Sequence, residues 1–353
     1  MKDLIRPVYN AGGYVFATKA ADIARSAGYE RPARLASNEN PYPPPPEVLE
    51  PAGTALQNAN RYPDECSLNL RAALKEKFGN FSYVSGVGMD GVIETIIRTT
   101  IGKGDKVVVN APTFSFYRLA ARAYGGEVID VPRNDDFSVD ALRLSDEASD
   151  SGAKLIFLCS PNNPTGNVIP KNDVEKILKS IDGMLFLDNA YVDFCDEDYI
   201  PLMNKYDNLI IGRTMSKYYA LAGMRVGFGI VPGWFEEYYE RAQIPFVLNT
   251  VSMAAAVAAL RNDSYTARYL SIVREWRERF INESPYPTSG GGANFVMFDV
   301  SPYEGDEVVE MLARRGVIVR SCASFPGLGD HYIRVSIGEP WENEIFLKEL
   351  NSL

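Results

Sequence analysis

Short apolar runs recur along the first two thirds of the chain, separated by segments of helical spacing. The stretches 106–109, 127–131, 155–158, 184–187, 209–211 and 226–230 read as buried strands, too apolar on both faces to lie on a solvated sheet. Between them, 114–124, 139–149 and 173–181 carry the periodicity of amphipathic helices. Alternation of this kind predicts an α/β fold with a doubly wound, mainly parallel sheet, in which ligands bind beyond the carboxyl ends of the strands. Upstream, Pro43-Pro44-Pro45-Pro46 is a stiff extended connector leading into helices over 46–58 and 67–78.

The texture changes after Gln243. A long helical stretch over 252–282 is followed by a glycine-rich turn, a strand over 294–300 and a helix over 306–315. Two further strands, 317–320 and 332–337, precede a final helix. These read as a smaller α+β domain. The expected division is an N-terminal arm and part of the small domain over 1–45, a large domain over 46–245, and a small C-terminal domain over 246–353.

Charge and rare residues narrow the chemistry. The 353 residues carry a net charge of −10 without a basic run, which disfavours nucleic acid and anionic membrane as partners. No apolar stretch is long enough to span a bilayer, and the first residues lack a secretory pattern, so a cytoplasmic protein is expected. The four cysteines are far apart, and the one histidine, His331, excludes a multi-histidine metal site. Lysine, aspartate, tyrosine and arginine must then carry the reaction, which points to an organic cofactor.

Four segments follow or adjoin strands. Lys217, in Arg213-Thr214-Met215-Ser216-Lys217, can be partly desolvated at a strand edge and become a nucleophilic amine, although most lysines are solvated surface charges. Asp188, with Tyr191 three residues on, suits a protonated ring nitrogen; a helix-capping aspartate with a buried tyrosine would look the same. Ser160-Pro161-Asn162-Asn163-Pro164-Thr165-Gly166 is either a plain turn or a rigid loop offering Asn163 to a ring oxygen. Ser85 to Gly91 reads as a glycine-rich loop opening a helix at Val92, whose amides suit a phosphate.

Together, Asn-Pro-Thr-Gly, Asp-x-x-Tyr and Ser-Lys-x7-Arg, each after a strand, resemble the class I/II pyridoxal-phosphate aminotransferases of fold type I. The likeness is greatest to the histidinol-phosphate aminotransferase family and runs from Leu35 to Gly338. It implies pyridoxal 5'-phosphate held covalently by Lys217, which also shuttles the proton. It further implies Asp188 on the ring nitrogen, Tyr191 and Asn163 on the ring oxygen, and Phe114 stacked on the ring. Met89, Asp90, Thr214, Ser216 and Arg225 match the cofactor-phosphate site, and Tyr62 a tyrosine reaching that site in the other subunit of a homodimer. Arg334 matches the arginine that takes a substrate carboxylate. Arg320 either adjoins a distal phosphate or second carboxylate, or is a strand-end arginine paired with a surface acid. Tyr9 is the candidate for an early substrate-contacting tyrosine. The chain departs from the family in having Gly91 after Asp90 and Asn189 after Asp188.

The reaction implied is transfer of an amino group from a small-molecule donor, histidinol phosphate first, to 2-oxoglutarate. Alternatives are another aminotransferase specificity, such as aromatic amino acids, and a lyase like the threonine-phosphate decarboxylases. A non-catalytic regulator built on the same fold is disfavoured by the acidic charge.

Overall fold

The computed structural model describes residues 4–11, 13 and 18–353; the rest of the expected N-terminal arm lies outside the described residues. The chain enters through α1 (Thr18–Ser26) and β1 (Ala33–Arg34), then α2 (Pro46–Leu56) and α3 (Leu68–Phe78). Pro46 occupies the first turn of α2, where a missing N–H costs no helical bond.

A seven-stranded sheet follows, from β2 (Ser82–Val87), which leads directly into α4 (Gly88–Thr100), then β3 (Lys106–Ala111), α5 (Phe116–Ala123) and β4 (Glu127–Pro132). It continues with α6 (Ala141–Ser151), β5 (Leu155–Cys159), α7 (Lys171–Ser180), β6 (Met184–Asp188), β7 (Leu209–Thr214) and β8 (Val226–Val231). The strand order is β2-β8-β7-β6-β5-β3-β4, with β8 running opposite to the other six. The doubly wound, mainly parallel expectation is met.

Strand alternation explains why both sheet faces are apolar. Val108, Ile156, Leu158, Leu185, Leu187 and Ile211 point into one core. Their neighbours Val107, Val109, Phe157, Phe186 and Ile210 point into the other, against α4, α5 and α8 (Gly233–Ala242).

One helix expectation is corrected. The stretch 252–282 is two helices, α9 (Thr250–Arg261) and α10 (Thr266–Glu283), separated at Asn262-Asp263-Ser264-Tyr265. The threonine hydroxyl of Thr266 donates to the Asp263 carbonyl (2.6 Å), one of the local side-chain bonds through which such segments leave the helix. Alanines 255, 256 and 259 of α9 let it pack in one core with Val48 and Ala52 of α2 and Leu70 and Leu74 of α3.

The small domain is built around the antiparallel sheet β12-β13-β10-β9, from β9 (Thr288–Ser289), β10 (Phe295–Asp299), β12 (Arg320–Ser321) and β13 (Tyr332–Ser336). α11 (Gly305–Ala313), β11 (Val317–Ile318) and α12 (Pro340–Leu350) complete it, and β11 pairs in parallel with β1. The expected strand 317–320 is thus two short strands in different sheets. Phe280, Phe298 and Phe346 meet ring to ring in its core. No helix among the described residues is long and apolar enough to cross a membrane.

Candidate active site

A cavity of about 600 Å³ opens where the carboxyl ends of β5, β6 and β7 face the small domain. Its floor is Asp188, the last residue of β6 and only 3% exposed. One carboxylate oxygen accepts from the Tyr117 hydroxyl (2.6 Å) and the other from the Ala190 amide (2.9 Å). Burial pushes the carboxyl up to about 6, and those two donors oppose the rise. Tyr117 went unremarked in the sequence, where it is one buried aromatic of the amphipathic α5. Its spacing, three residues after Phe114, is the signal that could have found it. Phe114 lines the cavity and meets Tyr117 edge to face at 5.5 Å.

Beside the floor, the Tyr191 hydroxyl accepts from the Asn38 side-chain amide (3.0 Å), which leaves its own proton for another acceptor. Asn38 was also missed. It adopts a left-handed backbone (φ 53°), a conformation that asparagine tolerates well, and is fastened to the small domain. Its N–H donates to the Ser336 hydroxyl (2.8 Å), that hydroxyl donates to its side-chain oxygen (2.9 Å), and its carbonyl accepts from Asn294 (3.1 Å). Asn163 lies across the cavity and accepts from Arg334 through its side-chain oxygen, leaving the amide nitrogen to donate.

The expected loop 85–91 is a strand running straight into a helix. Ser85, Gly86 and Val87 are ladder residues of β2 paired with β8, and α4 begins at Gly88. No side chain caps α4, so its first amides are open to an anion. Arg225 sits over this end in a left-handed conformation (φ 52°). Its carbonyl accepts from the Gly88 amide (2.9 Å), and its guanidinium pairs with Asp90 at 3.2 Å. A side chain at Gly88 would place a Cβ 2.5 Å from that guanidinium, and one at Gly227 would sit 2.3 Å from the Gly88 carbonyl carbon. Gly227 is required by that backbone contact, and Gly88 by its left-handed φ of 68°, since the guanidinium it would meet is the end of a flexible side chain. Thr214 and Ser216 complete it, their hydroxyls 3.0 Å apart. Met89 closes its inner side.

Lys217 projects into the same cavity, and its ammonium donates to the Ser37 carbonyl (2.9 Å). Burial and then the nearby positive charge of Arg334 push its pKa down to about 8, against which Glu39 pulls. The opposite wall holds Arg320 and Arg334, 8% and 4% exposed. Arg334 also donates to the Ala36 carbonyl (2.7 Å), while its Nε is buried without a partner. Arg320 donates to the Ser324 hydroxyl (3.1 Å).

Two candidates stand apart from the cavity of their own chain. Tyr62 is 82% exposed and stacked on Phe246 with ring centroids 4.4 Å apart, and Tyr9 is 60% exposed in a short turn of 3-10 helix beside α5. The other named candidates, including Arg320, line a single cavity.

The arrangement offers a desolvated amine, a buried carboxylate, an anion cup and two arginines around one space. The family model described as "Aminotransferase class I and II" matches residues 31–350. The chain is 57% identical to a histidinol-phosphate aminotransferase of Methanoculleus marisnigri and 51% identical to that of Methanocorpusculum labreanum, with all of both chains covered in each case. Its fold matches the crystal structure of histidinol-phosphate aminotransferase from Sinorhizobium meliloti in complex with pyridoxal-5'-phosphate. There the TM-score is 0.87 at 24% identity, over 99% of this chain and 96% of that one.

Proposed function

The chain belongs to the class I and II aminotransferases, and from that premise we propose that it transfers the amino group of histidinol phosphate to 2-oxoglutarate, using pyridoxal 5'-phosphate, in histidine biosynthesis.

The residues present fit that cofactor. The uncapped start of α4, with Thr214, Ser216 and Arg225, forms a cup for a phosphate, and the close approach of β8 to it requires glycine at 227. When bound, pyridoxal phosphate supplies an electron-poor ring that draws charge from the substrate carbon. Asp188 would hold the proton on the ring nitrogen, with Tyr191 and Asn163 donating to the ring oxygen. Phe114 would cover one face and exclude water from it. Lys217 would hold the cofactor through its amine and carry the proton to and from the donor carbon, and its lowered pKa leaves a larger share of it as the free amine near neutral pH.

The observation that carries the substrate reading is the pair of buried arginines at 320 and 334. Two adjacent cations in one wall call for two negative charges, which the donor's phosphate provides in one group and the acceptor in its two carboxylates. The names of the 57% and 51% identical relatives support the same choice. The test is a half-reaction followed by absorbance, with histidinol phosphate, histidinol and a panel of amino acids as donors. A marked preference for histidinol phosphate is expected. Equal rates for histidinol phosphate and histidinol overturn the substrate, and leave the aminotransferase class standing.

The active form is a homodimer with shared sites, in the cytoplasm. Tyr62 and Phe246 stack on each other while exposed, a pair that a two-fold partner would cover, and Tyr62 would then reach the partner's phosphate cup.

A further inference from the structure

A carboxylate that holds a proton on a ring nitrogen must itself stay ionised, and the surroundings of Asp188 work against that. It is enclosed at the end of a strand buried from Leu185 onward, with Cys159 as its register partner on β5 and the negative charge of Asp90 acting on it from α4. Cys159 is itself held neutral by burial. Two donors favour the charged form. One is the Ala190 amide, a backbone group of the same turn; the other is the Tyr117 hydroxyl on α5.

Tyr117 is fixed in place. Its ring is wholly buried, stacked on Phe157 at 4.6 Å with 7° between planes, and braced edge-on by Phe114. Its hydroxyl therefore meets one carboxylate oxygen in one geometry, at 2.6 Å. A hydroxyl donating to a carboxylate at that distance is a charge-assisted bond, roughly twice as strong as a neutral one. The guanidinium of Arg133, buried at the end of β4, acts on Tyr117 and Cys159 behind it and favours negative charge in this cluster.

We infer that Tyr117 is a positioning residue for Asp188: its hydroxyl keeps the carboxylate ionised and aimed at the ring nitrogen, and so sets cofactor affinity and the ring's protonation. This rests on the cofactor reading of Asp188 above.

Tyr117→Phe removes the hydroxyl and keeps both ring contacts. In the full-length chain stripped of cofactor and titrated with pyridoxal phosphate, the dissociation constant should rise about tenfold to a hundredfold, the range for a lost hydrogen bond to a charged group. In the reloaded holoenzyme, the 15N resonance of labelled cofactor should move toward the unprotonated ring, with its titration falling to lower pH. kcat should fall while KM for the amino donor stays within about twofold. Unchanged affinity and an unchanged 15N titration overturn the inference. Should the phenylalanine variant fail to fold, the wild-type holoenzyme decides the question. A strongly downfield hydroxyl proton that disappears in Asp188→Ala supports the bond, and its absence overturns it. If the wild type does not bind pyridoxal phosphate, the cofactor reading fails; if it binds and the phenylalanine variant binds equally well, only the role of Tyr117 fails.

Discussion

Arg320 and Arg334 are register partners across β12 and β13, so two buried guanidinium groups stand side by side in one wall of the cavity. Like charges directly opposite one another on a sheet are destabilising, and here both are largely removed from water. An anion between them relieves the repulsion.

The first prediction follows. Arg320→Ala should lower kcat/KM for histidinol phosphate and for 2-oxoglutarate by about ten- to a hundredfold, the equivalent of roughly 1.5–3 kcal/mol, and affect neutral amino acids far less. Inorganic phosphate should raise the Tm of the wild type more than that of the variant, measured by scanning calorimetry at equal concentrations. Equal shifts would remove the arginine pair from anion binding.

Asp188 sets stability against function. Its carboxyl rises from an ordinary 3.8 to about 6 on folding, so below pH 3.8 the burial carries no charge penalty. Between 3.8 and about 6 the folded chain binds more protons than the unfolded one, and stability declines as pH rises through that window. At neutral pH the loss is on the order of 3 kcal/mol. Asp188→Asn should therefore melt higher than the wild type above pH 6 without cofactor, and lower relative to it once pyridoxal phosphate is added. Its turnover should fall by far more than that of Tyr191→Phe, which deletes one contact to the ring oxygen. Comparable small losses in the two variants would contradict this division of roles.

Lys217 titrates near 8 instead of 10.5, and its reactive form is the neutral amine. The rate of covalent capture of pyridoxal phosphate by the stripped chain should rise with pH through about 8 and then level off, in stopped-flow absorbance records. A rate still climbing toward pH 10 would show an unperturbed lysine. Lys217→Ala should bind the cofactor without covalent attachment, resist borohydride trapping, and lose turnover by orders of magnitude.

The dimer reading is open to complementation. Mixed Lys217→Ala and Tyr62→Ala chains, each inactive alone, should regain up to one intact site per heterodimer. Activity migrating with a monomer in sedimentation would end the shared-site proposal.

Much of the pocket was legible because it is built at strand ends. Asp188 ends β6, Asn163 and Lys217 follow β5 and β7 within a few residues, and the apolar runs before them are unmistakable in period and length. β2 escaped because Gly86 within Ser-Tyr-Val-Ser-Gly-Val reads as a loop. The glycine is there because a Cβ would meet the Val92 nitrogen at 2.7 Å, where α4 turns back over the strand. The roles of Tyr117 and Asn38 were hidden for a different reason, although the spacing of Tyr117 from Phe114 marks its position. Their partners, Asp188 and Tyr191, lie 71 and 153 residues away, and no local pattern encodes such a meeting. The break between α9 and α10 is local but weak, since Asn-Asp-Ser costs a helix only a few tenths of a kcal/mol per residue.

The bond from Arg334 to Asn163 spans the two domains, and a second, to the Ala36 carbonyl, fixes the plane of the same guanidinium. Five N–H donors leave capacity beyond these two acceptors, and Nε is buried without a partner. An anion can therefore be seated on a cation whose orientation is already set, so little side-chain freedom is left to lose on binding.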